Sequence, residues 1–212
     1  MNRFFRYDAP FWGVMGRVFD LVVLNWLWLL TSLPLVTLGA STTALYTVTL
    51  RMARGEDSHN LSGYLRAFAG NLKQATALWL LYAAAAAWLV LGSSVMSHSG
   101  QPFLQALAIA EAGLLVLVLL GLPYAFALQA RFSNTVRGTI LAAQTLALRN
   151  LPISAAVAAL VLAPALLAGL YTPLSGAVAL AGLFVGASGI ALLHAKLLSP
   201  ILERSAARPD TV

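Results

Sequence analysis

Of the seven acidic residues in this 212-residue chain, Glu111 alone stands inside a long apolar run. A carboxyl group at membrane depth is costly and marks a site for an ion, a proton or a substrate hydroxyl. The plainer reading is a neutral, protonated Glu111 bonded to a neighbouring helix, or a span that begins later, near Gly113. A second set of polar groups lies nearer the N-terminus. Asn25 and Ser32 are seven residues apart and share a helical face with Trp28, and Ser41, Thr43 and Thr47 follow on the next apolar segment. Uncharged amide and hydroxyl groups of this kind supply the many weak donors and acceptors that a hydroxyl-rich substrate such as a sugar requires. They also serve as interhelical glue worth about 1 kcal/mol each. Asn25, Ser32, Ser41, Thr43, Thr47 and Glu111 are therefore the candidates for a polar cavity, with Ser41, Thr43 and Thr47 the expected partners of Asn25. Asp20, at the end of the first apolar run, is expected in a structural ion pair with Arg131; Arg17, Arg51 and Lys196 lie at similar depth.

Catalytic signatures are missing from the sequence. There is no Cys, no His pair at helical spacing, no Gly-rich phosphate loop and no Gly-x-Ser-x-Gly. His59, His98 and His194 fall on different sides of the apolar runs, so no metal site, cofactor or enzyme activity is expected.

The elements that must position these groups follow from charge and hydropathy. The chain is 60% hydrophobic and 9% charged, against about 25% charged in an ordinary soluble domain. Its thirteen Lys and Arg residues fall in four clusters: Arg3, Arg6 and Arg17; Arg51, Arg54, Arg66 and Lys73; Arg131, Arg137 and Arg149; Lys196, Arg204 and Arg208. Between the clusters lie paired apolar runs, 18–33 with 40–50, 74–96 with 104–130, and 153–171 with 174–195. A helix of about 20 apolar residues spans a bilayer. Each pair leaves the basic side, turns at a segment free of Lys and Arg, and returns. The positive-inside rule makes the basic side cytoplasmic. The expectation is a single all-α membrane domain over 1–212, a bundle of about six spans with both termini cytoplasmic and the first run a retained signal anchor. Residues 1–17 form a cytoplasmic segment and 204–212 a frayed tail. No loop is long enough to read nucleic acid, and the net charge of +6 is matched to anionic headgroups of the lipid bilayer.

Pro34 and Gly39 break the first apolar stretch into a hairpin, and Ser41, Thr42 and Thr43 are N-cap candidates for its second helix. That helix, 40–50, is short, either a full span or a re-entrant element. The cytoplasmic segments 51–73 and 131–152 each carry an amphipathic pattern. Leu61, Tyr64, Leu65, Phe68 and Leu72 share one face opposite Arg66, Gly70 and Lys73; Phe132, Val136, Thr139 and Ala143 share another. Both are expected to be interfacial helices. Each ends in Asn-Leu, at 71–72 and 150–151, which hints at a parallel duplication with an offset of about 79 residues. Small-residue stripes at Ala40, Thr43, Ala44 and Thr47, and at Gly182, Gly186 and Gly189, mean close helix packing, within one chain or in a homodimer. Pro123 and Pro164 fall inside spans.

The run from Asp20 through Asn25, Trp26 and Trp28 to Ser32 and Pro34, continuing with Gly39, Ser41, Thr42, Thr43 and Tyr46, resembles the YesL-like family of bacterial integral membrane proteins. Arg131, Phe132 and Asn134 are similar to a second motif of that family, in which an acidic residue usually stands where this chain has Ser133. The resemblance extends over the whole chain and is sharper in its N-terminal half. It implies a bacterial inner-membrane protein of a family without an established activity, often encoded beside genes for carbohydrate breakdown and sugar uptake. Sugar-transport components are accordingly expected partners. The functional expectation is an accessory to, or component of, carbohydrate uptake; the alternative is a non-transporting scaffold or regulator that docks partners through its cytoplasmic helices.

Overall fold

The computed structural model describes residues 10–56, 60–170 and 172–206. Arg3, Arg6, His59, Arg208, the start of the N-terminal segment and the end of the tail lie outside the described residues. All regular elements among them are helical: α1 (Pro10–Ser32), a 3₁₀ turn (Leu35–Thr37), α2 (Leu38–Ala53), α3 (Asn60–Ser97), α4 (Pro102–Arg131), α5 (Val136–Arg149), α6 (Leu151–Leu170), α7 (Thr172–Ala181), a π turn (Gly182–Gly186) and α8 (Ala187–Ala206). Five helices, Gly13–Ser32, Leu61–Ser97, Pro102–Arg131, Leu151–Leu170 and Ser175–Arg204, are long and apolar enough to cross a membrane. At most 22% of the most apolar window of any of them is buried within the protein. The remaining apolar surface needs lipid around it, and the chain is a helical membrane bundle.

The sixth expected span is α2, and it is of another kind. Its 16 residues extend about 24 Å, short of the roughly 30 Å hydrocarbon layer. Ten of them, from Gly39 to Leu50, are buried, because α1, α3, α4 and α8 all pack on this helix. Its start also differs from expectation. The helix begins at Leu38 rather than after Ser41, Thr42 and Thr43. The Thr37 hydroxyl donates to the Thr31 carbonyl at 2.7 Å and to that of Pro34 at 2.8 Å, which closes the hairpin turn before them.

The interfacial helix expected over 61–73 is not a separate element. Helix α3 runs unbroken for 38 residues, about 57 Å. Nothing between Gly70 and Ala75 stops it, and the Asn71 amide donates to the Ala67 carbonyl at 2.9 Å along the same helix. The face expected to lie on lipid is divided: Leu61, Leu65 and Leu72 are exposed, while its middle packs inward. Tyr64 is fully buried and Phe68 packs beside it against Leu24, Leu45 and Val48. Segment 131–152 does contain its own helix. In α5 the Thr135 hydroxyl caps the start by accepting from the Gly138 N–H at 3.2 Å, and Asn150 closes the end by donating to the Leu146 carbonyl at 2.9 Å. Thr139, Ala142, Ala143, Leu146 and Ala147 form its buried side. The two Asn-Leu pairs thus make the same back-bond, but only the second stands at a helix end.

The core lies in one half of the bundle. Tyr46 and Leu50 of α2, Leu78 and Tyr82 of α3, Tyr124–Leu128 of α4, Leu146 of α5, Val157 of α6 and Leu198 and Leu202 of α8 form the main cluster. Beyond Tyr82, α3 is accompanied chiefly by the first half of α4, with Leu89 and Ala108 the buried apolar residues there. Gly100, at φ +70°, supplies the left-handed residue of the turn that joins them.

Candidate functional site

Asn25 lies at the crossing of α1 and α8, and its side chain is 1% exposed. Its Nδ2 donates to the carbonyls of Gly182 at 3.1 Å and Leu183 at 2.8 Å. Its Oδ1 accepts from the backbone N–H of Ala187 at 2.9 Å and of Ser188 at 3.2 Å. Gly182 and Leu183 open the π turn, in which pairing widens from i+4 to i+5, and Ala187 and Ser188 are the first residues of α8. The two pairs concerned, 182 with 187 and 183 with 188, are bridged by the Asn25 side chain acting as an inserted amide. Its two donors and both acceptor sites are filled. The Ser188 hydroxyl returns a bond to the Leu21 carbonyl at 2.7 Å. The expectation that Asn25 would face Ser41, Thr43 and Thr47 is therefore corrected, because this face of α1 is turned to α8.

The same finding changes the meaning of the glycine stripe. A Cβ at Gly182 would meet nothing within 4 Å, and one at Gly186 or Gly189 would meet only its own helix. These glycines bring no second helix close. They lie in and beside a distorted turn whose carbonyls Asn25 occupies.

The other motif residues tie the α1–α2 hairpin to α3. Trp28 Nε1 donates to the Thr42 hydroxyl at 3.2 Å. The Tyr64 hydroxyl meets the Thr31 hydroxyl at 2.7 Å and donates to the Ser41 carbonyl at 3.3 Å. Trp79 Nε1 donates to the Leu35 carbonyl at 3.0 Å. Gly39 sits against the backbone of Ala75 and the Cβ of Trp79. At the second motif, the Gln74 amide donates to the Asn134 carbonyl, and Gln129 Nε2 donates to Asn71 Oδ1 at 3.3 Å.

The remaining cavity candidates do not converge. The hydroxyls of Ser41 and Thr47 donate to carbonyls of their own helix, Thr37 at 3.0 Å and Thr43 at 2.9 Å. Ser32 Oγ and Thr43 Oγ1 are buried without a partner. Glu111 lies in the first third of α4, with its carboxyl group against Gly92 of α3 and Oε2 buried and unpartnered. The expected Asp20–Arg131 pair does not form, because α1 packs on α2, α3 and α8 rather than on α4. The ion pairs among the described residues join Glu56 to Arg51 at 3.4 Å and to Arg54 at 2.5 Å. The Arg54 hydrogen bond holds the Glu56 carboxyl below its usual range, and Glu56 in turn raises Arg54. A lowered carboxyl stabilises the loop above the ordinary carboxylate range and loses that contribution as the pH falls through the lowered value. Both side chains are exposed enough that the effect is small.

One buried group is not singled out by spacing. His194, 2% exposed, meets the Tyr46 hydroxyl through Nδ1 at 2.8 Å and the Val157 carbonyl through Nε2 at 3.0 Å. A carbonyl can only accept, so Nε2 carries the proton and Nδ1 accepts from Tyr46. The ring links α2, α6 and α8. Three helices meet at it only in the folded bundle, which no local pattern announces.

The class of molecule is thus a helical membrane bundle in which a short, buried hairpin helix organises the longer ones. Residues 21–93, which span the second half of α1, all of α2 and most of α3, match the family described as "Protein of unknown function, DUF624". Neither the curated proteins nor the solved structures contain a match to this chain.

Proposed function

We propose that this protein is a non-transporting scaffold or accessory of the bacterial inner membrane. In this reading it docks a partner through the surface at the basic end of the bundle, and the resemblance to the YesL-like family points to a sugar-uptake component as that partner. The observation that carries the proposal is the complete use of Asn25 by the π turn. The group best placed to greet a substrate has no donor or acceptor left. Of the six candidates for a polar cavity, Thr47 alone lines any of three cavities among the described residues, the one of about 150 Å³ at the basic end. Meanwhile α5 presents Leu141, which is 66% exposed, with Leu148, Arg137 and Arg149 also on the surface. Apolar groups bordered by fixed positive charge are what a partner with an acidic rim would cover.

The test compares the two surfaces in cells whose growth on a carbohydrate depends on the protein. Folded Ser32→Ala and Thr43→Val proteins are expected to restore growth, and Leu141→Asp to accumulate in the membrane yet fail. Growth lost with Ser32→Ala or Thr43→Val and kept with Leu141→Asp would favour a path through the hairpin instead.

The orientation is part of the same proposal, with the basic end in the cytoplasm. A single Cys in place of the exposed Gln101 should react in intact cells with a membrane-impermeant thiol reagent. One in place of the exposed Arg137 should react only after the membrane is opened. The opposite pattern would invert the topology and remove the proposed docking surface from the cytoplasm.

A further inference from the structure

The C-terminal ends of α2 and α4 enclose a cavity of about 150 Å³ lined by Thr47, Leu50, Arg51, Arg54, Ala130 and Arg131. Arginines at helix C-termini are common, because they complement the terminal carbonyls. Three around one small cavity need more explanation. Arg51 and Arg54 both meet Glu56 through Nε, which leaves their Nη donors for other uses. Among the described residues Arg131 has no carboxylate partner. Its guanidinium lies over the Phe132 ring, 5.6 Å from the centroid, and its Nη1 is buried without a hydrogen bond. A guanidinium does not shed its proton at any working pH, so this is a desolvated charged donor, among the costliest groups to leave unpaired. Glu203 of α8 acts on Arg54 from a distance, so among the described residues the carboxylates near the cavity are Glu56 and Glu203, against three guanidiniums. Leu50 and Ala130 form apolar walls that strengthen any ionic contact made inside.

We propose that this cavity binds a phosphate group, carried either by an anionic phospholipid headgroup or by free phosphate. Arg131 supplies the buried donor, and Nη groups of Arg51 and Arg54 close on the remaining oxygens as charge-assisted hydrogen bonds. The position suits either source, since the cavity opens at the basic end of the bundle, where the apolar helices finish.

The full-length protein is reconstituted in nanodiscs of phosphatidylcholine, and its melting is followed by tryptophan fluorescence. One arm adds inorganic phosphate at ionic strength matched with chloride, which removes simple screening. The other replaces part of the phosphatidylcholine with phosphatidylglycerol. A ligand that binds only the folded state raises the midpoint by mass action, here by roughly 3 °C when the ligand stands at about five times its dissociation constant. The rise is expected in at least one arm, lost in Arg131→Gln and kept in Arg66→Gln, an exposed arginine outside the cavity. A rise with inorganic phosphate identifies a soluble ligand; a rise only with phosphatidylglycerol identifies a headgroup. No rise in either arm, or an equal rise in Arg131→Gln, overturns the proposal. Should Arg131→Gln fail to accumulate, Arg51→Gln decides, because that side chain is 46% exposed and its loss is tolerable. It should raise the half-saturating phosphate or phosphatidylglycerol about tenfold, the effect of removing one charge-assisted contact; an unchanged value counts against the site.

Discussion

Asn25→Leu is expected to lower the stability of the purified protein by about 4 kcal/mol, with four backbone groups each losing a hydrogen bond at roughly 1 kcal/mol. The leucine fills nearly the same volume, so the loss is one of hydrogen bonds rather than of packing. The carbonyls of Gly182 and Leu183 and the N–H groups of Ala187 and Ser188 would be left facing an apolar side chain. Water cannot replace the amide there, because the site is buried between α1 and α8. The π turn would then have to close to ordinary α pairing, which rotates α7 against α8 and pulls Ser188 from its bond to Leu21. Asn25→Asp separates the two halves of the interaction. The ionised carboxylate of that variant still accepts from Ala187 and Ser188 but turns its second oxygen toward two carbonyls. The variant should therefore melt below the wild type and recover as the pH is lowered and the carboxyl takes a proton. A midpoint within about 1 °C of wild type for Asn25→Leu, against the several degrees that such a loss implies, would show that the inserted amide contributes nothing, and would reopen Asn25 as a binding group.

Much of this architecture is legible in the chain because it rests on local signals. Clusters of Lys and Arg bracket the apolar runs, Pro34 and Gly39 mark the hairpin, and Thr135 and Asn150 bound α5. The continuity of α3 is hidden because residues 61–73 read equally well as an amphipathic surface helix. An inward face looks the same whether it meets lipid or α2. The partners of Asn25 cannot be found by spacing, since they are backbone groups more than 150 residues away. Gly182 and Gly186 are a visible signal, but a stripe of glycines usually means two helices in contact, and here it accompanies a π turn. Glu111 is unusual in the sequence and in the structure alike, but it is set against Gly92, away from the hydroxyls it was expected to join.

The short second helix of the hairpin makes its own demand, and Gly39→Ala tests it. A Cβ at Gly39 would overlap the carbonyl oxygen of Ala75 and lie 2.5 Å from the Cβ of Trp79. Neither atom is the free end of a side chain. Relief requires α2 and α3 to move apart, and those helices share the most extensive contact in the bundle. Overpacking of this kind costs about 1–3 kcal/mol; with the Trp79–Leu35 and Tyr64–Ser41 bonds strained as well, the upper end of that range is expected. Gly121→Ala is the matched control. The three atoms nearest its Cβ would all belong to the terminal amide of Gln144, whose existing bonds to Tyr82 and Val118 are long, at 3.4 Å and 3.3 Å. That side chain can swing away, and alanine favours the helix over glycine by nearly 1 kcal/mol, so Gly121→Ala should be close to neutral. The result expected is a fall of several degrees in the melting midpoint for Gly39→Ala and little change for Gly121→Ala. Equal midpoints for the two variants would mean that α2 and α3 are not in the close contact that lets so short a helix hold the longer ones together.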